Sequence, residues 1–442
     1  MWWRPTIGKR HNCVVKNTKH TPSWYAASTH PQPSFPKLMG EVSTDVCIIG
    51  GGYTGLSAAI HLRKLGFDVT LLEANRVGWG ASGRNGGHVG TGQRSDQGSL
   101  EKLIGDSAAQ DLWRMGLDAV DLVCDLVNEF KIDCELGVGN LHLASKSSHA
   151  AELREEVEHL ATHYDYEQTR YLTVEEVAER TSAQGCHGGT LDMGARHLHP
   201  MKYALGLARA ADSIGAQIFK QSRVLTYSDG NIMRVVTEDG VVHSRFVVLA
   251  CNGYLEKLEP RIASNIMPIN NFMIATAPLA ADLCQRINRD RTSISDSLFV
   301  INYWKLSDDN RLIFGGGENY TRRFPKDIKH FVRPYMLNIY PELAEAKIEF
   351  GWGGTLGITM NRMPDFGRLG KRTFYAQGFS GHGVPTATKA GQLIAAAIYG
   401  DTSDFDIMAA VPTHRFPGGT LLRWPGLVAG MLFYSLLDKL GR

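Results

Sequence analysis

Three glycines and a later acidic residue are the part of this sequence whose types and spacing point most directly to chemistry. Gly50, Gly52 and Gly55 form a GxGxxG pattern, and Glu73 follows at roughly the 20-residue distance at which an acid can accept hydrogen bonds from ribose hydroxyls. Such a turn lets a pyrophosphate approach backbone N–H groups at the positive end of a helix. The pattern predicts a dinucleotide site without choosing between NAD, NADP and FAD.

The segments around these glycines are the ones that a βαβ unit needs. An unbroken apolar run from Val46 to Ile49 precedes the glycines, and a second run from Val69 to Leu72 precedes Glu73. Continuous apolar runs are typical of parallel strands that are covered on both faces. The simpler alternative, a glycine turn without a ligand, does not require this whole succession of elements.

A glycine-rich segment, Gly78 to Gly87, comes directly after the second strand. It would leave the carboxyl end of that strand, where ligands of open α/β sheets bind. We expect its backbone to wrap the cofactor, with Ser82 and Asn85 as donors. A flexible surface loop is the alternative.

The middle of the chain favours a flavoprotein. A helix that begins near Pro200 is followed by apolar runs at Gln217–Val224, Ile232–Thr237 and Val241–Ala250, which predict a meander of strands. In a nicotinamide dehydrogenase, βα units would continue instead. Elsewhere, helical spacing predicts a long amphipathic helix over Asp106–Phe130.

A second glycine turn, Gly378 to Pro385, lies between an apolar strand at Thr373–Ala376 and a helix predicted over Thr386–Tyr399. The positive end of that helix would stabilise negative charge on the pyrimidine side of a reduced flavin. His382 is a candidate catalytic residue in this turn, and a structural role in the turn is the alternative.

Composition limits the remaining classes. The chain has 442 residues, of which 43% are hydrophobic and 21% charged, so we expect a globular protein of two or three domains. Its net charge of +2 gives no reason to expect nucleic-acid binding. Seven cysteines without a CxxC pair argue against a disulfide framework or a zinc site and fit a reducing, cytoplasmic location. We predict no metal site.

The two ends of the chain differ from the rest. The basic first forty residues lack the apolar core of a secretory signal, and a mobile extension or an over-extended start is favoured over a transit peptide. The apolar run Gly426–Leu437 is too short for a transmembrane helix, which needs about 20 residues. We expect a terminal helix packed on the domain, with weak membrane-surface contact as the alternative.

The order of elements predicts an α/β fold with α+β character, in which an antiparallel-sheet substrate domain is inserted into a Rossmann-type, glutathione-reductase-like domain for FAD or NAD(P). The predicted divisions are an N-terminal extension at 1–40, a discontinuous FAD-binding domain at 41–130, 195–265 and 351–408, a substrate domain at 131–194 and 266–350, and a C-terminal helical tail at 409–442.

Several phrases together resemble the FAD-dependent amino acid oxidase (DAO) family, which includes D-amino acid oxidase, glycine oxidase and sarcosine oxidase. The resemblance covers nearly the whole chain from Ser23 onward, and within the family it is strongest to bacterial enzymes that oxidise γ-glutamylputrescine. The phrases are SWYAAS at 23–28, DVCIIGGGYTGLSAAIHL, LLEANRVGWGASGRNGG, HLHP at 197–200, RMPDFGRL from 362, QGFSGHGV from 377 and FPGG from 416.

The resemblance implies a D-amino acid oxidase-like flavoenzyme that oxidises a C–N bond of a small primary amine such as γ-glutamylputrescine. With O2 as the acceptor, the products would be an aldehyde, ammonia and hydrogen peroxide. The alternatives are a membrane-associated FAD dehydrogenase of D-amino or N-methyl amino acids that passes electrons to quinone, and a flavin-binding structural or RNA-modifying protein. The oligomeric state stays open.

The resemblance also implies non-covalent FAD, because Gly80 stands where some relatives carry a flavin-linked histidine and the TLGITMNRMP segment has no cysteine. Val224 would present its backbone to the adenine, and Gly381–Val384 would face the flavin ring. The catalytic candidates are His382 and Trp352. The cofactor-binding candidates are Gly50, Gly52, Tyr53, Thr54, Gly55, Glu73, Ala74, Gly80, Ala81, Ser82, Arg84, Asn85, Gly86, Gly87, Val224, Gly378, Gly381, His382, Gly383 and Val384.

The substrate pocket is less well defined by the sequence. Aromatic rings fill cores as readily as pockets, so its candidate walls are also candidate core residues; they are Tyr303, Trp304, Trp352 and Phe379. A substrate carboxylate would suit an arginine, which can bind it bidentately. Arg84, Arg94 and Arg362 are candidates that the sequence does not rank.

Overall fold

The computed structural model describes residues 19–228, 230–319 and 323–426. Its α-helices are α1 (Trp24–Ala27), α2 (Tyr53–Lys64), α3 (Gln97–Ile104), α4 (Asp106–Glu129), α5 (Ser147–Tyr164), α6 (Val174–Ala178), α7 (Pro200–Ser213), α8 (Pro260–Ala263), α9 (Ala281–Ile287), α10 (Ile328–Ile339), α11 (Gly383–Tyr399) and α12 (Ser403–Ala410).

The strands form two sheets. They are β1 (Gly40–Ile49), β2 (Val69–Leu72), β3 (His88–Val89), β4 (Gly137–Leu143), β5 (Thr169–Leu172), β6 (Gly189–His197), β7 (Gln217–Phe219), β8 (Thr226–Ser228), β9 (Met233–Val236), β10 (Gly240–Leu249), β11 (Met267–Thr276), β12 (Ser293–Asp296), β13 (Tyr303–Leu306), β14 (Leu312–Asn319), β15 (Ile348–Ile358), β16 (Asp365–Leu369) and β17 (Thr373–Gln377).

The first sheet has the strand order β16-β17-β10-β1-β2-β7. Its central strands β17, β10, β1, β2 and β7 are parallel, and α2 connects β1 to β2. The predicted βαβ unit is therefore confirmed. The last four residues of β1 and all of β2 are buried, as expected for parallel strands that are covered on both faces. The sheet continues through β9, which pairs with β10, and β8, which pairs with β9.

Glycines allow α2 to pack closely against its neighbours. A Cβ at Gly55 would lie 2.0 Å from the carbonyl oxygen of Gly50, and a Cβ at Gly391 would lie 2.5 Å from the carbonyl oxygen of Thr54. Gly391 belongs to α11, which packs along α2. Any side chain at either position would push the helices apart, so these glycines fix how close the helices come to the sheet and to each other.

The second sheet has the order β15-β11-β14-β13-β12-β4-β6-β3, with β5 beside β6. One face of its middle strands is covered by α10 through an aromatic core in which the Trp304 and Phe314 rings stack with centroids 5.5 Å apart. The sheet was predicted to be antiparallel, but β4 and β12 pair in parallel. The sheet is therefore mixed.

The predicted meander is partly wrong. β8, β9 and β10 do form an antiparallel succession, but the first predicted strand is split, and β7 joins the edge of the parallel sheet beside β2. The reason lies just after β7, where Gln221 has a positive φ of 51°. There the N–H groups of Gln221 and Ser222 donate to the carbonyl oxygens of Asn75 and Glu73, so the chain turns across the end of β2 instead of continuing as a strand.

Two predicted domain limits need adjustment. Residue 195 falls inside β6 and residue 351 falls inside β15, and both strands belong to the second sheet. The short strand β3 was predicted to lie in the FAD-binding domain, but it pairs with β6 and so belongs to the second sheet. The remaining division of the chain into domains stays a proposal.

The interpretation of the first forty residues as a mobile extension is wrong for the part that the structure describes. Trp24 and Tyr25 of α1 are 4% and 0% exposed, and Ser23 caps this helix by accepting a hydrogen bond from Ala26 N. The Tyr25 ring contacts Trp352 at a centroid distance of 5.2 Å. The segment is basic overall, but these two aromatic side chains are part of the core. Residues 1–18 lie outside the described ranges.

The C-terminal tail is described only to residue 426, and its last described residues, 419–426, are helical. Arg423 attaches them to the domain by donating to the carbonyl oxygens of Ala263 and Ile266 at 2.7 Å each. Of the apolar run 426–437, all but the first residue lie outside the described ranges. Among the described helices, none combines the length and apolar character needed to cross a membrane.

The close packing of α2 and α11 makes a testable prediction. Gly391→Ala should lower the free energy of unfolding by about 1–3 kcal/mol, because its Cβ would overlap backbone atoms of α2 that cannot move independently. Chemical denaturation followed by circular dichroism would measure the change. Gly98→Ala in α3 is the matched control, since its Cβ would meet only ordinary contacts. Equal stability of both variants would contradict the packing argument.

Candidate active site

A cavity of about 2130 Å³ lies between the two sheets. Ile49, Leu72 and Ala250, at the carboxyl ends of β1, β2 and β10, line one side of it, and Tyr303 and Asn271 of the second sheet line the other. Since the three parallel strands end at the same edge, this is the place where open α/β sheets bind ligands.

The first glycine turn forms one end of the cavity. Gly50 has a φ of +119° and lies so close to β10 that a Cβ would be 2.5 Å from the Ala250 carbonyl oxygen. Gly52 caps α2 without a side chain. The turn thus brings bare backbone to the positive end of a helix, which is the arrangement that binds a pyrophosphate.

Glu73 is held rigidly at the end of β2. Its Oε2 accepts a hydrogen bond from Gly51 N at 2.8 Å, and its Oε1 accepts one from Asn75 N at 2.7 Å. Burial raises the pKa of the Glu73 carboxyl, and the N–H groups of Asn75 and Gly51 partly offset this rise. Glu73 lines the cavity, and its predicted role in accepting from ribose hydroxyls stays a prediction.

The loop Gly78–Gly87 is folded on itself by its own side chains. Ser82 Oγ accepts from Tyr53 N at 3.1 Å, which ties the loop to the start of α2. Asn85 donates to the carbonyl oxygens of Ala81 and Ser82 and accepts from Gly87 N. Asn85 therefore shapes the loop, and its predicted donation to the cofactor stays a prediction.

Arg84 and Trp352 connect this loop to the second sheet. The Arg84 guanidinium lies 4.2 Å from the Trp79 ring centroid and donates to the carbonyl oxygens of Trp79 and Gly353 at 2.7 and 3.0 Å. Trp352 Nε1 donates in turn to the Arg84 carbonyl oxygen at 3.1 Å. Trp352 is 1% exposed and does not line the cavity, so its position supports the loop and does not suit the predicted catalytic role.

The second glycine turn brings another helix end to the cavity. Gly378, Ser380 and Gly381 all have positive φ values between 51° and 93°, and α11 begins at Gly383. The helix starts three residues earlier than predicted, because Pro385 lies within its first turn. The first residues of α11, Gly383 and Val384, line the cavity. The amino end of a helix carries free N–H groups and a partial positive charge.

His382 precedes α11 in the cavity wall. Burial, together with the nearby Arg94 guanidinium, lowers the pKa of His382 to about 4. Its Nε2 has no hydrogen-bond partner among the described residues. At neutral pH the imidazole is uncharged, so the positive potential at this end of the cavity comes from the α11 terminus and from Arg94.

Most of the predicted site residues come together in the cavity wall, and four do not. Gly55, Gly87, Gly378 and Trp352 lie behind the wall, where they determine how the wall packs. The candidates that line the cavity are Gly50, Gly52, Tyr53, Thr54, Glu73, Ala74, Gly80, Ala81, Ser82, Arg84, Asn85, Gly86, Val224, Gly381, His382, Gly383 and Val384.

The aromatic candidates for the substrate pocket also divide into residues that line the cavity and residues buried in the core. Tyr303 and Phe379 line the cavity, whereas Trp304 is in the core of the second sheet. Arg84, Arg94 and Arg362 all line it. The Arg84 guanidinium donates to the carbonyl oxygens of Trp79 and Gly353, and Arg94 Nε donates to the Ser380 carbonyl oxygen at 3.2 Å.

Sequence reasoning missed several polar residues of the wall. His88 and His142 line the cavity, and burial lowers the pKa of each to about 4. Asp192, Thr91 and Trp113 line it as well. They come from separate strands, a loop and a helix, so no local motif signals them. Within the ranges that the structure describes, no group of three or more His, Cys, Asp or Glu residues could hold a metal ion.

The chain is similar to known proteins over most of its length. The family model described as DAO, FAD dependent oxidoreductase, matches residues 45–397. The chain is 37% identical over 425 residues to the Escherichia coli gamma-glutamylputrescine oxidoreductase, covering 96% of this chain and 100% of that protein. It is 39% identical to a probable oxidoreductase, OrdL, of Rhizobium meliloti, covering 94% and 97% of the two chains.

Solved structures show the same fold. Glycine oxidase from Geobacillus kaustophilus superposes with a TM-score of 0.72 at 22% identity and covers 84% of this chain and 99% of its own. L-proline dehydrogenase from P. horikoshii gives a TM-score of 0.66 at 22% identity, covering 82% and 94%. The predicted combination of a Rossmann-type domain with a second sheet domain is confirmed.

Glu73 supplies the first test of the site. Glu73→Ala should weaken FAD binding about 10- to 100-fold, because charge-assisted hydrogen bonds to the ribose would be lost. FAD retention during dialysis and fluorescence titration of the apoprotein would measure the loss, with Glu41→Ala as the control because Glu41 is an exposed acid of β1. Unchanged FAD affinity with an intact fold would rule out the predicted role.

Trp352 supplies the second test. Trp352→Phe keeps an aromatic ring but leaves the buried Arg84 carbonyl oxygen without its donor, so the free energy of unfolding should fall by about 1–3 kcal/mol. Turnover by the folded variant should change less than threefold. A fall of a hundredfold or more in kcat, with stability unchanged, would restore Trp352 as a catalytic residue.

Proposed function

Because the chain belongs to the DAO family of FAD-dependent oxidoreductases, we propose that it oxidises the primary amine of γ-glutamylputrescine or of a closely similar capped amine. FAD is its cofactor. The observation that carries the proposal is the similarity to the E. coli relative, which extends over 96% of this chain and all of that protein. Both sheets and the whole cavity wall are therefore included in the match.

The described residues fit FAD. The two glycine turns bring the amino ends of α2 and α11 to the same cavity. A Cβ added at Gly50 would meet the backbone of Ala250, and one added at Gly52 would meet the Ser82 hydroxyl. Glu73 would hold the adenosine ribose, the first turn would hold the pyrophosphate, and the turn before α11 would face the flavin ring.

We propose that FAD is bound non-covalently. Position 80 is a glycine and offers no nucleophile. Of the cysteines in the described ranges, Cys251 is the one that lines the cavity, near Glu73 at the proposed adenine end. Burial raises the pKa of its thiol to about 12, so it remains protonated. The free thiols fit a reducing compartment, and we propose a cytoplasmic location.

When bound, FAD would supply two-electron oxidation: the C–H bond next to the amine nitrogen would give up a hydride, the C–N bond would become C=N, and O2 would take up the two electrons as hydrogen peroxide. Water would then hydrolyse the imine to the aldehyde and ammonia. The chain's own residues would prepare the amine for this reaction. His88, His142 and His382 are uncharged at neutral pH for the reason given above, and Tyr303 and Phe379 add aromatic surface. A region of this kind desolvates an ammonium group and favours its neutral form, which is the form that can be oxidised.

The amino terminus of α11 would stabilise the negative charge of the reduced flavin. Its free N–H groups and the Arg94 guanidinium place positive potential where negative charge would develop on the flavin ring. Because His382 is neutral, its contribution would be to shape the turn and exclude water. This assignment favours the structural alternative for the His382 side chain.

An assay of the purified holoenzyme tests the proposal. In air, γ-glutamylputrescine should be consumed with one hydrogen peroxide formed per molecule, while putrescine, sarcosine and D-alanine should react at least tenfold more slowly. Flavin absorbance during anaerobic mixing and peroxide release in air would be recorded. Bleaching without peroxide would identify a dehydrogenase with another acceptor. If γ-glutamylputrescine does not bleach the flavin, the proposed substrate is wrong.

A further inference from the structure

One carboxylate in the cavity wall is held in place by three uncharged donors. Asp192 of β6 accepts from Tyr166 Oη at 2.5 Å, from Thr91 Oγ1 at 2.6 Å and from Gly194 N at 2.9 Å. Tyr166 is 4% exposed. These bonds fix both carboxylate oxygens in direction and leave lone pairs for one more donor.

No cation of the described chain neutralises this carboxylate. Among the described residues, Asp192 makes no ion pair. Arg196 is close by in sequence, but its Nη1 donates to the carbonyl oxygens of Met193, Gly194 and Ala195 at 2.8, 3.0 and 2.8 Å. A fixed carboxylate that lines a ligand cavity and has only uncharged partners is complementary to a cationic ligand group.

The surroundings of Asp192 favour the same kind of ligand group. The ring of Trp113 lies against Tyr166 with the centroids 5.1 Å apart, and Trp113 also lines the cavity. Aromatic faces attract ammonium groups. Two nearby glutamines of the wall, Gln93 and Gln97, donate their amide nitrogens to the carbonyl oxygens of Leu112 and Ala109.

These two bonds determine which way the amides face, since a reversed amide would place oxygen against oxygen. The Oε1 atoms of both glutamines are left buried and without a hydrogen-bond partner in the described structure. Gln97 is 3% exposed. The wall near Asp192 therefore contains two further acceptors, which suits a ligand that brings N–H donors.

The chain connectivity places this group next to the proposed flavin site. Gly90 touches the His382 ring, because a Cβ there would be 2.9 Å from Cε1, and Thr91 continues directly to Asp192. A carboxylate beside the reacting nitrogen would stabilise its protonated form and oppose oxidation. The carboxylate therefore suits a second, non-reacting ammonium further along the substrate.

We propose that Asp192, positioned by Tyr166 and Thr91, binds the non-reacting ammonium group of an elongated amine substrate and so sets which end of the molecule is oxidised. The inference rests on the proposed function, in which that ammonium is the α-amino group of the γ-glutamyl cap. Asp192 is then a specificity residue, and Tyr166 is a positioning residue that acts through it.

The kinetic test compares γ-glutamylputrescine with glutarylputrescine, which lacks the α-amino group. Asp192→Asn should raise KM for γ-glutamylputrescine about 10- to 100-fold, as expected for loss of a charge-assisted hydrogen bond, and leave kcat within threefold. KM for glutarylputrescine should change less than threefold. Tyr166→Phe should give a smaller rise with the same selectivity. Glu167→Gln is the matched control, because Glu167 is an exposed neighbour outside the cavity wall.

A binding test separates this inference from the proposed function. N5-butyl-L-glutamine carries the α-ammonium but lacks the terminal amino group of the putrescine part, and N-butylglutaramate lacks both groups. Calorimetric titration of the holoenzyme should show at least tenfold tighter binding of the first probe, and Asp192→Asn should abolish that difference. This result would support the subsite even if γ-glutamylputrescine were not oxidised. Equal binding of the two probes, or an unchanged preference in Asp192→Asn, would overturn the proposal.

Discussion

The structure depends on the close approach of backbone to backbone at the carboxyl edge of the parallel sheet. β1 turns into α2 against β10 with no room for a side chain at Gly50, and α2 returns against that turn at Gly55. Because Gly391 has no side chain, α11 can pack closely against α2. Two helix amino ends thereby reach one cavity, and their N–H groups supply positive potential without a charged side chain. Larger residues at these positions would separate the helices from the sheet and from each other.

A second constraint is the removal of water from the cavity wall. Burial lowers the pKa of His88, His142 and His382 to about 4, so these imidazoles carry no charge at neutral pH. The unfolded chain would bind protons on them near pH 6.5. The folded state is therefore most favoured above that pH and loses stability as the pH falls from 6.5 towards 4. The same desolvation that costs stability in acid favours a neutral amine at the reacting centre.

The sequence predicts the parts of the site that are local in the chain. Gly50 and Glu73 belong to a βαβ unit whose strand, turn and helix follow one another, and the turn before α11 is equally continuous, so periodicity and glycine spacing suffice. The long helix α4 agrees with its predicted bounds to within one residue. Contacts between distant segments were not predictable. Tyr25 reaches Trp352 and β7 pairs with β2 only because tertiary packing outweighs local charge and turn signals.

The same distinction explains why the cofactor follows from the sequence more readily than the substrate. A dinucleotide is held by backbone, and backbone geometry is set by local glycines. A substrate is selected by side chains from both sheets, and these meet only in the folded protein. Asp192 becomes a candidate for recognition because Thr91, 101 residues away in the chain, and Tyr166 fix its direction. If the desolvated region near His382 favours a neutral nitrogen and Asp192 attracts a charged one, a molecule with two amino groups has a single productive orientation.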